Sequence, residues 1–133
     1  MITTSDYGNG PVGQYIPPKV LVVDDEELIC WSIKERLLDA GFISYSAQTL
    51  EATRALLEKY HFTHLITDLK LIGCTGFDII ELVREKSPKV SVVMITAFGD
   101  EKIQRKAIDQ GVEMFQEKPI DITDTIAFLK ATS

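Results

Sequence analysis

The chain of 133 residues has few cysteines, no basic stripe and no long apolar run. Its two cysteines, Cys30 and Cys74, have no CxxC or histidine-rich surroundings, so two reduced thiols are expected. A net charge of −6 argues against direct contact with nucleic acid. No apolar run approaches the ~20 residues of a membrane span, and the first residues carry no signal-peptide pattern. These absences predict a cytoplasmic protein that contacts neither nucleic acid nor a membrane.

The remaining sequence has room for one ordinary domain behind a tail. Residues 1–18 mix Gly, Pro, Ser, Thr and Asn without periodicity, which predicts a flexible tail before a domain spanning 19–133. Short hydrophobic runs then alternate with segments of helical spacing. Strands are predicted at 20–23, 43–47, 65–67, 90–95 and 114–116. The alternation predicts an α/β fold with a doubly wound, five-stranded parallel sheet and helices on both faces.

The helices are predicted from apolar residues at helical spacing and from their end signals. Thr49 is expected to cap the second helix, and Gly41 to end the first. Trp31 is assigned to packing, and both His61 and His64 to hydrogen-bonded or exposed positions. The apolar residues that mark the first helix are Leu28, Ile29, Trp31, Ile33, Leu37 and Leu38. Those expected to face inward on the second are Leu50, Ala52, Ala55, Leu56 and Leu57, and the fourth is marked by Ile103, Ala107 and Ile108.

Polar residues stand where the predicted strands end. Asp24 and Asp25 follow the first strand, Asp68 the third, Thr96 the fourth and Lys118 the fifth. Ligands of open parallel sheets bind outside the carboxyl ends of the strands. Three carboxylates gathered there would repel one another, and a bound Mg²⁺ relieves that repulsion. The alternative is that the acidic pair only caps the first helix.

The chemistry predicted for this edge of the sheet is phosphoryl transfer. The Asp68 carboxylate can attack phosphorus, and Mg²⁺, the Lys118 ammonium and the Thr96 hydroxyl can neutralise the product. Ala97 is small enough to leave room for the phosphoryl group. Two plainer readings stay open, in which Thr96 binds a backbone carbonyl and Lys118 is a solvated charge. Pro119 suggests a cis peptide that aims the ammonium inward.

These motifs together resemble the receiver domain of two-component response regulators, from about residue 19 to the C-terminus. The resemblance implies a flavodoxin-like fold with strand order 2-1-3-4-5 and five helices. The segment 20–33 further resembles the receivers of nitrogen-regulation-type enhancer-binding activators. The motifs are Val-Val-Asp24-Asp25-Glu, Thr-Asp68-Leu-Lys-Leu, Ile-Thr96-Ala and Glu-Lys118-Pro.

The resemblance also implies specific roles for the site residues. Asp68 would be the phosphoacceptor, with Asp25, Asp68 and the backbone carbonyl of Lys70 binding Mg²⁺ directly and Asp24 acting through water. The donor would be a phosphohistidine of a sensor histidine kinase or phosphotransfer protein. Thr96 and Phe115 would form the switch, although Phe115 lacks the hydroxyl of the frequent tyrosine. Lys70 and Phe98 would flank the water that removes the phosphoryl group.

The function so implied is a phosphorylation-activated signalling switch that is not an enzyme for other substrates. It would catalyse its own phosphotransfer and slow autodephosphorylation, and control a downstream domain or partner, with transcription the favoured output. A homodimer through the fourth helix, fifth strand and fifth helix is a candidate. The alternative is a free-standing or phosphorylation-independent receiver that acts by protein contacts. An aspartyl-phosphate phosphatase is disfavoured because Lys70 stands where its second Asp belongs, and a flavin carrier because acids replace a phosphate loop.

Overall fold

Within the part of the chain that the structure describes, five parallel strands form the central sheet, and five helices connect and flank them. The protein is described from a computed structural model that covers residues 17–97, 99–119 and 121–133. In chain order the elements are β1 (Lys19–Val23), α1 (Glu27–Asp39), β2 (Ile43–Ala47), α2 (Leu50–Lys59), β3 (His64–Asp68), α3 (Gly76–Lys86), β4 (Ser91–Thr96), α4 (Glu101–Asp109), β5 (Met114–Glu117) and α5 (Ile122–Ala131). The sheet order β2-β1-β3-β4-β5 confirms the predicted fold class and strand order.

The three inner strands β1, β3 and β4 are buried on both faces because helices cover both sides of the sheet, whereas the edge strands β2 and β5 are mostly half-buried. Alternate residues of β1 point to opposite cores: Leu21 and Val23 to one, Val20 and Val22 to the other. The first core is completed by α2, α3 and α4, and the second by α1 and α5. All of β3 (His64–Asp68) is buried. This central strand therefore holds its last residue, Asp68, in a rigid frame.

The predicted helix-end signals are confirmed where the structure describes them. The Thr49 side chain accepts a hydrogen bond of 3.0 Å from the backbone N–H of Ala52 and so caps α2. Gly41 follows α1 with φ +89°, a left-handed conformation that glycine adopts without steric cost. Each of these helix ends depends on the side chain or backbone of one nearby residue, so the sequence alone can predict it.

The assignment of helix faces was partly wrong. On α1, Leu28, Trp31 and Leu38 are 75%, 61% and 66% exposed, so the packing role predicted for Trp31 is not observed. Helical spacing cannot decide which face is covered in a helix that has apolar residues on two opposite sides. On α2, Ala52 and Ala55 are exposed although the spacing predicts that they face inward; Ile108, which correctly marks α4, is exposed as well.

A short hairpin that the sequence did not predict follows β3. Lys70–Leu71 pairs antiparallel with Cys74–Thr75, and α3 begins directly afterwards at Gly76. The Thr75 side chain and Asp78 form a reciprocal capping box at the start of α3. Strands of two residues carry too little pattern to be recognised in a sequence.

Three further expectations concern the cysteines, the N-terminal tail and membrane-spanning helices. Cys30 is buried and Cys74 is half-buried, and both are free thiols. Residues 1–16 of the predicted tail lie outside the described residues, and the predicted domain boundaries stay a prediction. Among the residues that the structure describes, no helix is both long enough and apolar enough to cross a membrane.

Candidate functional site

Three carboxylates meet at the carboxyl edge of the sheet. Asp24 follows β1 and Asp68 ends β3, and the pairing of Val23 with Thr67 brings these two strand ends side by side. Carboxylate oxygens of Asp24, Asp25 and Asp68 all lie within 4.8 Å of one another. Asp24 is 2% exposed and Asp68 is 7% exposed. Two of the three acids are thus largely withdrawn from water.

A lysine from the far side of the sheet reaches the same cluster. The Nζ of Lys118 lies 3.0 Å from Oδ2 of Asp68 and 3.4 Å from Oδ2 of Asp24. The Lys118–Pro119 peptide is cis, as the sequence suggested. The backbone N–H of Lys118 donates to the carbonyl of Thr96 over 2.7 Å, which joins the ends of β5 and β4. The reading of Lys118 as a solvated charge is therefore wrong.

The charges in this cluster do not balance. Burial raises the pKa of Asp24, and the charge of Asp68 raises it further, against a backbone hydrogen bond from Glu26 and the charge of Lys118. Burial lowers the pKa of Lys118, but its hydrogen bond to Asp68 and the two carboxylate charges outweigh burial and raise that pKa. Lys118 therefore stays protonated. Among the described residues, the Lys118 ammonium contacts two of the three acids, so the carboxylates of the cluster outnumber it and an excess of negative charge remains.

The capping alternative accounts for one contact and no more. Oδ1 of Asp24 accepts a hydrogen bond of 2.9 Å from the backbone N–H of Glu26. The residue at the N-cap of α1 is Glu26 itself, and its side chain makes no capping hydrogen bond. The other oxygen of Asp24 faces Lys118. Helix capping thus accounts for one oxygen of Asp24 and does not explain why three carboxylates lie together.

The donor set fits a hard divalent cation. Mg²⁺ prefers oxygen ligands and is commonly held by one or two carboxylates. Asp24, Asp25 and Asp68 offer such oxygens, and their uncompensated charge favours a cation at this position. Lys70, the residue predicted to add its backbone carbonyl, begins the hairpin two residues after Asp68, and its side chain is exposed. The metal-ligand roles remain proposals.

Gly76 is a site-supporting residue that the sequence reasoning missed. A Cβ added there would lie 2.4 Å from the backbone carbonyl oxygen of Asp68. The N–H of Gly76 donates to the carbonyl of Leu69 over 2.7 Å, and the N–H of Leu69 to the carbonyl of Ile95 over 2.8 Å. Glycine therefore allows the hairpin to close tightly against the end of β3. The only signal in the sequence was a glycine directly before a helical segment.

The predicted switch residues occupy neighbouring strands. Thr96 ends β4 and is 1% exposed, and Phe115 in β5 is partly buried against the core that contains α4. A Cβ on Gly99, three residues after Thr96, would lie 2.9 Å from the Phe115 ring. Ala97 is exposed, and Phe98 lies outside the described residues. The loop after Thr96 thus passes close to the ring of Phe115, which is expected to move when Thr96 moves.

Comparison with known proteins agrees with this geometry. Residues 20–130 match the response regulator receiver domain family, and the chain belongs to that family. Members of this family are the signalling phosphoacceptors of two-component systems. The family assignment from the sequence motifs is thereby confirmed.

Individual relatives of this chain include regulatory proteins. It is 30% identical over 112 residues to the photosynthetic apparatus regulatory protein RegA of Rhodovulum sulfidophilum, covering 84% of this chain and 61% of that protein. It is 26% identical to the DNA-binding transcriptional regulator NtrC of Salmonella typhimurium, covering 84% of this chain and 24% of that protein. The chain thus spans less than two thirds of the length of these relatives.

One solved structure combines the fold with appreciable sequence identity. It is the solution structure of the beryllofluoride-activated NtrC4 receiver domain dimer. The TM-score is 0.78 at 31% identity, and the match covers 86% of this chain and 94% of that one. The resemblance to nitrogen-regulation receivers noted in the sequence is supported by this structure and by NtrC.

Proposed function

We propose that this domain is a phosphorylation-activated switch in which Asp68 accepts a phosphoryl group. The observation that carries the proposal is the position of the Asp68 carboxylate, 3.0 Å from the Lys118 ammonium and within 4.8 Å of two further acids. A buried carboxylate held between a cation and a divalent-metal site is suited to attack phosphorus and to stabilise the product. The donor is a phosphohistidine of a sensor histidine kinase or phosphotransfer protein.

The proposed transfer exchanges one bond to phosphorus for another. One Asp68 oxygen attacks phosphorus, and a P–O bond forms as the P–N bond of the phosphohistidine breaks. The electron pair leaves with the imidazole nitrogen, which takes a proton from water. The Lys118 ammonium, already within hydrogen-bond distance of Asp68 Oδ2, balances the negative charge that the phosphoryl oxygens bring.

The proposed metal site consists of Asp24, Asp25 and Asp68, with the Lys70 carbonyl as a further ligand. When bound, Mg²⁺ supplies charge neutralisation and lets an anionic phosphoryl group approach three acids. Without a cation the same acids would repel the phosphoryl donor. Lys118 offsets only part of that repulsion because it is a single positive charge.

The proposed output begins at Thr96. Its hydroxyl would move towards the new phosphoryl group, and the Phe115 ring would follow into the vacated space. Such a population shift is driven by contacts that the phosphoryl group makes in one packing and not in the other. It would reshape the surface of α4, β5 and α5, which we propose as the partner face and as a candidate homodimer face. Ile108 on α4 is 71% exposed and belongs to that surface.

The downstream effect is proposed from the relatives alone. RegA and NtrC are regulatory proteins considerably longer than this chain, and NtrC is a DNA-binding transcriptional regulator. We therefore propose that the switch controls transcription through a domain or partner outside this chain. A cytoplasmic location, expected from the family, stays a prediction.

Intact mass tests the phosphoacceptor. After incubation with acetyl phosphate and Mg²⁺, the protein should gain one phosphoryl group, and chelation of the metal should prevent this. Asp68→Asn should abolish the gain. Asp100→Asn is the matched control, because Asp100 is an exposed acid that caps α4 and asparagine caps equally well. Equal labelling of Asp68→Asn and the parent protein would refute the assignment.

Amide chemical shifts separate the switch from a receiver that works without phosphate. Addition of beryllofluoride and Mg²⁺ should shift amides of α4 and β5 as well as those of the acidic cluster. Phe115→Ala should keep the shifts at Asp68 and lose those on α4. Shifts confined to the cluster in the parent protein would favour the phosphorylation-independent alternative.

A further inference from the structure

The C-terminal end of α4 is capped by an arginine from another helix. The guanidinium of Arg84, in the last turn of α3, donates to the backbone carbonyls of Gln110 and Gly111, the second over 3.2 Å from Nη2. Backbone carbonyls at the end of a helix lack a partner within it. The positive charge of Arg84 also lies at the negative end of the α4 dipole. Arg84 therefore joins the end of α4 to α3.

Two further contacts hold the same half of α4. The ammonium of Lys106 lies 4.5 Å from the ring centroid of Phe77 on α3, which is a cation–π contact. Phe77 and Arg84 are about two helical turns apart, so their side chains leave α3 on one face. Ala107 of α4 is buried in the core, 1% exposed. The C-terminal half of α4 is thus tied both to α3 and to the core.

The backbone beside Arg84 is shaped to admit the guanidinium. Gly111 has φ +77°, and a Cβ added there would lie 2.8 Å from Nη2 of Arg84. Gly41, after α1, has a similar φ of +89°, but a Cβ there would meet none of the described atoms within 4 Å. Gly111 therefore leaves room for the arginine in addition to making the turn. The two glycines offer a matched comparison.

Among the described residues, side-chain hydrogen bonds at the N-terminal end of α4 run to the two residues directly before the helix. The N–H of the half-buried Ile103 donates to the Asp100 carboxylate over 2.8 Å. The Gln104 side chain donates to the carbonyl of Gly99 over 3.0 Å. A Cβ on Gly99 would lie 2.9 Å from the Phe115 ring. This end of α4 is therefore tied to a loop that lies against the ring of the proposed switch.

We propose that Arg84 fixes the C-terminal end of α4 to α3, so that a displacement of Phe115 tilts α4 about this end. The inference rests on the proposed function, because the switch at Thr96 and Phe115 supplies the displacement. A helix held at one end and moved at the other tilts as a hinged element. Position 102 is ~12 Å along the helix from position 110, so a tilt of about 20° moves position 102 by ~4 Å. Arg84 is thus a positioning residue for the output surface.

Amide hydrogen exchange of the unphosphorylated protein tests the arginine cap. Arg84→Met keeps a long side chain and removes its donors. It should speed exchange at residues 110–112, whose N–H groups donate to carbonyls of α4, by about tenfold. Exchange at residues 103–104 should change by less than about twofold. Arg54→Met, at an exposed position on α2, is the matched control and should change neither. Unchanged exchange at 110–112 in Arg84→Met would overturn the proposal.

Two glycine variants separate the contact with Arg84 from backbone strain. Asparagine tolerates positive φ, so Gly111→Asn and Gly41→Asn impose a similar backbone cost. Gly111→Asn also places a Cβ against the guanidinium, and it should speed exchange of the amides on either side of position 111. Gly41→Asn should leave those amides unchanged. Arg84→Lys keeps the charge without the two-pronged geometry and should recover part of the protection. Equal exchange in the two glycine variants would contradict the proposal.

Distances between spin labels test the pivot itself. In a Cys74→Ser background, whose remaining Cys30 is buried, one label is placed at Glu58→Cys on α2. The second is placed at Lys102→Cys or at Asp109→Cys, which are exposed positions at the two ends of α4. Pulsed electron paramagnetic resonance gives each distance before and after addition of beryllofluoride and Mg²⁺. The distance to position 102 should change by ~2–4 Å and the distance to position 109 by less than ~1 Å.

The same distances in Arg84→Met decide whether the arginine is the pivot. Without the cap both ends of α4 should move, so the distances to positions 102 and 109 should change together. Equal changes at both positions in the parent protein would overturn the pivot and leave the proposed switch intact. A pattern in Arg84→Met identical to that of the parent would also overturn it. If beryllofluoride changes neither distance in the parent, the proposed switch fails, and the pivot that rests on it fails too.

Discussion

The Lys118 ammonium and the Asp68 carboxylate form an ion pair of 3.0 Å between residues 50 positions apart in the sequence. Asp68 ends β3 and Lys118 follows β5, with β4 lying between these two strands in the sheet. The lysine side chain therefore reaches past the end of the intervening strand. Because it also contacts Asp24 at 3.4 Å, one cation links three of the five strand ends.

Replacement of Lys118 should slow phosphorylation and leave metal binding in place. Lys118→Met removes a charge-assisted hydrogen bond worth ~1.5–3 kcal/mol, so the initial rate with acetyl phosphate should fall by about 10–100-fold. Lys118→Arg keeps the charge and should recover part of the rate. The rates are measured by intact mass at saturating Mg²⁺. An unchanged rate for Lys118→Met would show that the ammonium does not act on the phosphoryl group.

Asp24→Asn should stabilise the metal-free protein. Burial and the nearby charge of Asp68 raise the pKa of Asp24, which means that its ionised form is unfavourable in the folded state. Asparagine can still accept the Glu26 N–H bond, so the gain should be on the order of 1 kcal/mol in urea unfolding. Saturating Mg²⁺ should stabilise the parent protein more than the variant.

The control for that comparison is Asp124→Asn, an exposed acid on α5. It should change neither the unfolding free energy nor the response to Mg²⁺ by more than ~0.5 kcal/mol. If Asp24→Asn is less stable than the parent protein without metal, the charge conflict is not the dominant energy at this site.

The buried histidine of β3 should make stability depend on pH. His64 is 1% exposed, and its Nε2 lies 2.9 Å from Thr132 Oγ1 at the end of α5. Burial lowers the pKa of His64 below its ordinary value of 6.5, partly offset by the charge of Glu113. In acid the unfolded chain then binds a proton that the folded chain resists, so the free energy of unfolding falls as pH drops below about 6.5.

The effect comes from a single proton, so the slope below about pH 6.5 is at most ~1.4 kcal/mol per pH unit. His64→Gln can keep the hydrogen bond and should lose that part of the slope. His61→Gln, at an exposed position, is the control and should retain it. Urea unfolding at several pH values decides the matter, and equal slopes for His64→Gln and the parent protein would contradict the prediction.

The lifetime of the phosphorylated state should depend on Phe98, a prediction made from the sequence at a residue outside the described ones. The phenylalanine side chain is bulky and cannot hydrogen-bond water, so it should screen the in-line attack of water on phosphorus. The exposed Lys70 ammonium should contribute ~1 kcal/mol or less. We expect persistence for minutes, and faster loss in Phe98→Ala. A pulse-chase at fixed Mg²⁺ tests this, and unchanged or slower decay would disprove shielding.

The strand-end positions of the acidic cluster could be predicted because parallel strands share one geometry. Each hydrophobic run is short enough to be a strand, and the first polar residue after it must lie at the carboxyl edge. That argument places Asp24, Asp25, Asp68 and Thr96 without knowledge of any contact. The sheet order required the family resemblance, since alternation alone permits several orders.

The sequence by itself determined the order of the five main strands and five helices, the helix ends at Gly41 and Thr49 and the edge at which the polar residues gather, because these follow from local patterns of a few residues. Only the tertiary structure decided which side of α1 is covered, leaving Leu28, Trp31 and Leu38 in solvent. It also decided the contact of His64 with Thr132, 68 residues away, and the approach of Gly76 to Asp68. These features depend on how distant segments pack, and no local pattern records which neighbours a segment will meet.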